Sequence, residues 1–196
     1  MNNIFVIYAL GSGGQHVSNL ISQDQQFVPQ CSPADYNNLS SAAHFSYQYH
    51  LHTLDSIPTE TLAQQSRVYP HHIHSLLRVD PSRLKAIPNK IYLVLELPEY
   101  NKAIAGRMAR WGFEAQGQAY DELKLLYSPY ILSLILQEPI DKFFGISCED
   151  VWQPDGATLL THIQNSSPID LNWNLHTLSI MHEKWYKKIA APEYIS

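Results

Sequence analysis

A glycine-rich segment directly follows the first apolar run of the chain and is its strongest chemical signal. Glycines let backbone N–H groups turn toward a ligand, and the N-terminus of a following helix adds positive potential. The segment therefore predicts an anion-binding loop, to which a hydroxyl and two polar side chains add donors. Its residues are Gly11, Ser12, Gly13, Gly14, Gln15 and His16. The alternative is a tight strand-to-helix turn that holds no ligand.

Two known phosphate-binding patterns do not fit this loop. A Walker A loop ends in Gly-Lys-Ser/Thr, whereas no lysine occurs in this chain before Lys85. The dinucleotide pattern Gly-x-Gly-x-x-Gly needs a third glycine, and His16 stands in that place. A positive charge from His16 can replace the missing lysine if a bound anion raises the pKa of its imidazole. The alternative is that His16 only packs at the first turn of the following helix.

The densest group of histidines in the chain is His71, His72 and His74. A neutral imidazole at pH 7 is suited to remove a proton as a general base. We select His72 first and His71 second for this role, because the intervening Pro70 leaves the alignment open by one residue. The alternative is a structural histidine with ordinary hydrogen bonds. No metal site is predicted, since no carboxylate follows before Asp80 and helical His-x-x-x-His spacing is absent here.

Alternating strand and helix patterns surround these residues. The apolar runs Ile4–Leu10 and Lys90–Leu97 are typical of strands buried on both faces of a parallel sheet. Shorter strands are predicted over Arg67–His72 and Phe143–Cys148. Helices are predicted after the glycine loop, after Asn101, from Ser128 to Leu136, over Ala157–Ile163 and from Leu175 to Ile189. This order predicts an α/β fold with three layers, α/β/α, around a mostly parallel central sheet.

Composition limits the classes of protein that fit the sequence. The chain has 196 residues, a net charge of −5 and 45% hydrophobic residues, which favours one domain spanning residues 1–196 with a substantial core. Nucleic-acid binding through a basic surface is excluded by this charge, and a disordered chain by the apolar content. Neither a secretion signal nor a membrane span is found, so no membrane partner and a cytoplasmic location are expected.

The order of these segments resembles the sulfotransferase family, a P-loop-containing nucleotide hydrolase-like group that uses the sulfate donor PAPS. Residues 10–16 lie where the family has Pro-Lys-Ser-Gly-Thr-Thr-Trp, and residues 67–72 where a strand ends in its catalytic histidine. Residues 90–105 resemble its segment for the 3′-phosphate of the donor, and residues 146–151 its later Tyr-Glu-Asp-Leu strand end. The resemblance implies PAPS as cofactor, bound by residues 11–16, and His72 or His71 as base. It implies a small-molecule or glycan acceptor, and a phage or bacterial source.

The sequence departs from that family at charged positions. Gly11 replaces the lysine of the loop, and Glu96 or Leu97 stands where an arginine is expected. The serine of the next helix falls near Ala105, and Arg107 is a candidate substitute for the lost arginine. The favoured hypothesis is a sulfotransferase that transfers a sulfuryl group from PAPS to a hydroxyl or amine. The first alternative is a degenerate relative with a binding or structural role that can include a virion, and the second is a nucleotide-dependent kinase or NTPase.

Overall fold

Four parallel strands form the sheet that organises the chain. The structure is a computed structural model, and it describes residues 2–9, 11–28, 58–110 and 118–190. Its strands lie in the order β2-β1-β3-β4, and every neighbouring pair is parallel. Their bounds are Asn3–Ile7 (β1), Val68–His71 (β2), Lys90–Glu96 (β3) and Phe143–Ser147 (β4). The predicted α/β class with a parallel sheet is confirmed.

The first strand is buried along its whole length, as its continuous apolar run predicts. It is shorter than predicted, because the backbone leaves the sheet after Ile7. The amide N–H of Ser12 donates to the carbonyl oxygen of Ala9 at 3.0 Å, and this turn replaces strand pairing. Leu10, the last residue of the predicted run, lies outside the described residues. The other three predicted strands also extend beyond the observed ones by one residue at an end or at both ends.

Ten α-helices within the described ranges connect and cover the strands. They are Gly14–Ile21 (α1), Thr59–Gln64 (α2), Ile73–Leu76 (α3), Pro81–Ala86 (α4), Lys102–Arg110 (α5), Gln118–Leu126 (α6), Pro129–Leu136 (α7), Cys148–Val151 (α8), Gly156–Ser166 (α9) and Leu175–Trp185 (α10). A 3₁₀ turn, Ile140–Lys142, precedes β4, and a π-helical turn, Tyr186–Ala190, follows α10. None of the described helices has the length and apolarity to cross a membrane.

Local sequence signals explain where several helices begin. Ser128 and Pro129 occupy the N-cap and first position of α7, and α7 ends at Leu136 as predicted. The predicted cap of α5 is confirmed, because Asn101 Oδ1 accepts a hydrogen bond from the Ile104 N–H at 3.3 Å. The helices α2, α3, α4, α6 and α8 were not predicted. All of them except α6 have six residues or fewer, too few for a helical repeat of apolar positions to be visible.

The order of the strands reverses direction at β1. The chain passes from β1 to the edge strand β2, then crosses to β3 on the opposite side of β1 and on to β4. In sheets of this kind the crevice for a ligand lies at the carboxyl ends of the strands, where the order reverses. Helix α10 packs on α1 and on α9, and α9 contacts β4. The carboxyl ends of β1 and β3 and the beginning of α1 are therefore the region where a site is expected, and β2 ends beside β1 at the same edge of the sheet.

Candidate functional site at the carboxyl edge of the sheet

The ends of β1 and β2 are joined by two hydrogen bonds just beyond the strands. The N–H of Tyr8 donates to the carbonyl oxygen of His71 at 3.1 Å. In return, His72 Nδ1 lies 3.1 Å from the carbonyl oxygen of Tyr8. The Tyr8 ring also meets the His72 ring edge to face, with centroids 4.4 Å apart. Tyr8 therefore places His72 beside the glycine loop.

The contact with Tyr8 determines where a neutral His72 carries its proton. A carbonyl oxygen only accepts, so Nδ1 carries the hydrogen and Nε2 is the basic nitrogen. His72 is half-buried at the strand end, whereas His71 is fully buried within β2 and stacks at 5.9 Å on Phe5. Of the two histidines selected from the sequence, His72 is thus the one placed at the edge of the sheet.

Backbone geometry in the glycine loop requires two of its glycines. Gly11 has φ +79° and Gly13 has φ +88°, a region that side chains with a Cβ rarely enter. Between them, Ser12 is buried, and both of its donors reach the same acceptor. Its N–H and its hydroxyl donate to the Ala9 carbonyl oxygen at 3.0 Å and 2.7 Å. The Ser12 donors expected to face an anion are therefore part of the turn itself.

Side chains from three other segments cover the loop. A Cβ at Gly14 would overlap the ring of Tyr8, and the Tyr8 hydroxyl donates to Gln15 Oε1 at 3.3 Å. A Cβ at Gly13 would lie 2.7 Å from Val151 and 3.4 Å from the Trp185 ring. The absence of side chains at both glycines is thus used for close packing against aromatic rings.

His16 belongs to a buried cluster of rings behind the loop. Its ring stacks on Trp185 with centroids 4.2 Å apart and planes 2° from parallel. Its Nε2 lies 3.0 Å from His182 Nδ1, and His182 Nε2 lies 2.7 Å from the carbonyl oxygen of Gln153. Because that carbonyl accepts from Nε2–H, a neutral His182 accepts at Nδ1, and the His16 Nε2–H donates to it. The geometry is that of two neutral imidazoles.

Burial determines the charge of this pair. It lowers the pKa of His16 well below its ordinary value, and the neighbouring His182 lowers it further. Burial also lowers the pKa of His182, against the opposing effects of its hydrogen bond to Gln153 and of the carboxylates Asp155 and Glu183. A neutral His16 is the opposite of the cation expected in place of the loop lysine.

The remaining candidates lie on and after β3. The Glu96 side chain covers Gly145 of β4, and burial raises the pKa of its carboxyl group. A carboxyl group thus occupies the end of the strand where the resemblance implies an arginine. Arg107 is part of α5, but its side chain lies outside the described part of the structure.

Three residues of this region were missed as site residues by the sequence analysis. The sequence places His182 and Trp185 on the apolar face of the last helix and gives them no role in a site. The signal that could have identified His182 is its position on that face between Leu178 and Trp185. Tyr8 carries no such signal in the sequence, because it continues the apolar run of β1. Their placement depends on contacts between segments distant in the chain.

No group of three or more His, Cys, Asp or Glu residues within the described ranges is placed to hold a metal ion.

Known proteins do not add to this description. Comparison of the chain with protein-family models, curated proteins and solved structures found no match.

Proposed function

We propose that this chain is a degenerate relative of the sulfotransferases that acts as a binding or structural component and does not use PAPS. The observation that carries the proposal is the close packing of the glycine loop against neighbouring side chains. The N–H and the hydroxyl of Ser12 both donate to the Ala9 carbonyl oxygen, and the Tyr8 ring lies against Gly14. A phosphosulfate group would need the backbone N–H groups of this loop to converge on open space.

Charge supports the same proposal. Transfer of a sulfuryl group, like that of a phosphoryl group, depends on positive charge that stabilises the oxygens of the transferred group. Gly11 offers no charge, a buried neutral His16 offers none, and Glu96 would repel a 3′-phosphate. Charge-assisted hydrogen bonds are the strong ones, so their loss reduces donor affinity heavily.

A second candidate function is sulfuryl transfer from PAPS to a hydroxyl or amine of a small molecule or glycan. His72 is the specific observation in its favour. Its Nδ1–H donates to the Tyr8 carbonyl oxygen, so in the neutral ring Nε2 is the basic nitrogen that would accept the proton of an acceptor group. In this function Gly13 and Gly14 would supply backbone N–H groups to the donor.

Measuring the melting temperature with and without adenosine 3′,5′-bisphosphate, the spent donor, distinguishes the two functions. A ligand that binds the folded state stabilises it by mass action and raises this temperature. We expect no shift at millimolar nucleotide for the wild-type chain, and none with ATP and Mg²⁺, the probe for a kinase or NTPase. A rise with the bisphosphate that Gly13→Asp abolishes, while the control Gly106→Asp on the exposed side of α5 retains it, would reject our proposal in favour of transfer.

A further inference from the structure

The strongest unassigned feature of the molecule is the contact between His16 and His182. The two imidazoles are 3% and 0% exposed, and they connect α1 to α10 although the two residues are 166 positions apart in the chain. Trp185 covers one side of His16, and the Gln153 carbonyl closes the far end of His182. We call these four residues the histidine contact.

We propose that the histidine contact is a pH-sensitive connection that holds α10 against α1 at neutral pH and releases it in mildly acidic solution. This inference goes beyond the proposed function and is independent of whether the glycine loop binds PAPS.

The hydrogen-bond pattern as it stands has no place for a proton on His182 Nδ1. A proton added to His182 Nδ1 makes both nitrogens of that ring donors, so Nδ1 would face the donor Nε2–H of His16. His16 can remove this conflict only by moving its own proton to Nδ1. A second proton would then place two like charges in contact at 3.0 Å, in a region from which water is excluded.

The charged groups that face the pair act on it unequally. Asp155, at the N-terminus of α9, and Glu183, on α10, both favour protonation of His182. The Asp155 carboxylate is already held by the Ala157 N–H and the Thr158 hydroxyl. Towards His16 the electrostatic neighbour is His182 itself, which opposes protonation. The pair therefore gains a first proton at His182. Because this charge is unfavourable in the buried contact, it weakens the packing of α10 against α1.

Release of α10 would change the glycine loop as well. Trp185 moves with α10, and its ring is the aromatic cover of Gly13. The four strands do not depend on this contact, because their ladder is formed by β1 to β4 alone. The expected result is a local opening at the carboxyl edge with the sheet intact.

Hydrogen exchange read by mass spectrometry tests the proposal on the full chain. Exchange is compared at about pH 7.5 and about pH 5.5, on either side of the ordinary histidine pKa, with times scaled for the intrinsic rate. Peptides from α10 should lose protection by about tenfold or more, while those from β1 and β3 keep theirs. Equal protection of α10 at both pH values would overturn the proposal.

Variants assign the effect to the pair. His182→Gln retains an acceptor for His16 and a donor for Gln153 but does not titrate, so α10 should stay protected at the lower pH. His162→Gln removes an exposed histidine on α9 and should leave the wild-type response unchanged. Loss of α10 protection that persists in His182→Gln would assign the response to other groups and reject the proposal.

An NMR titration of the imidazole carbons in the wild-type chain gives a decision even if His182→Gln does not fold. The signals of His16 and His182 should remain those of neutral rings until the α10 amides open, and then change together. Protonation of either ring while α10 stays protected would also overturn the proposal.

Discussion

Among the described residues, two hydrogen-bonded pairs that include a histidine connect helices, and the pairs differ in burial. His16 and His182 meet at 3.0 Å between α1 and α10, where each ring is almost fully buried. His162 Nδ1 donates to Asp150 Oδ2 at 2.8 Å between α9 and α8, with the two side chains 47% and 22% exposed. The buried pair is neutral and depends on its tautomers, whereas water screens the exposed pair.

The same contrast exists between two glycines. Gly14 lies directly under the Tyr8 ring, whereas no atom of the described residues lies within 4 Å of the position where a Cβ on Gly106 would be. Identical residue types therefore have opposite consequences, and the packing around them decides which. The region behind the glycine loop is a close-packed junction, whereas the face of α5 at Gly106 is exposed.

The largest effect is expected for removal of the buried imidazole. His182→Ala deletes a buried ring and removes the hydrogen-bond partner of the Gln153 carbonyl and of the His16 Nε2–H. The free energy of unfolding should therefore fall by about 3–5 kcal/mol. His162→Ala, the matched change in the exposed pair, should cost about 1 kcal/mol or less. Urea denaturation of both variants measures the difference. Similar losses in the two would contradict the contrast between the pairs.

The second largest loss of stability is expected when a methyl group is added to the glycine loop. Gly14→Ala would press the new Cβ into the buried Tyr8 ring, and we expect a loss of about 2–3 kcal/mol in the free energy of unfolding. The chemical denaturation midpoint reports this loss. An unchanged midpoint would mean that the Tyr8 ring moves aside easily, and the loop would then be more open than its packing indicates.

Acid should weaken the molecule through the buried pair. The folded state lowers the pKa values of His16 and His182 below the ordinary 6.5, so above that pH neither state binds the extra protons. As the pH falls below 6.5, the unfolded chain takes up protons that the folded chain refuses, and stability declines until the folded pKa values are reached. Urea midpoints from pH 8 to 5 should follow this course. His162→Gln should keep it, and a His16→Gln/His182→Gln double variant that retained the same slope would show that other groups cause it.

The smallest effect is expected at the exposed glycine. Gly106 lies inside α5, where alanine is preferred over glycine by about 1 kcal/mol. Because the new methyl group meets no atom of the described residues, Gly106→Ala should raise the free energy of unfolding by up to about that amount. Thermal unfolding measures the gain. A loss would show that this face of α5 is covered.

Short-range patterns were sufficient to predict much of the fold. The apolar run of β1, the Ser128–Pro129 start of α7 and the Asn101 cap of α5 each depend on neighbouring residues, and each was located from the sequence. The ends of the strands were less accurate. Tyr8 and Ala9 are as apolar as the strand before them, and a hydrogen-bonded turn, which hydropathy does not record, ends β1.

What the sequence by itself determined is the alternation of strands and helices, the glycines that the loop needs and the histidine that follows β2, since each is set by residues close together in the chain. Only the tertiary structure decided what fills the loop. Tyr8, Val151 and Trp185 reach it from separate segments, and His16 meets a histidine 166 positions away. Whether a glycine faces a ligand or a ring, and whether an imidazole is charged or neutral, depends on burial and on neighbours that the fold brings together.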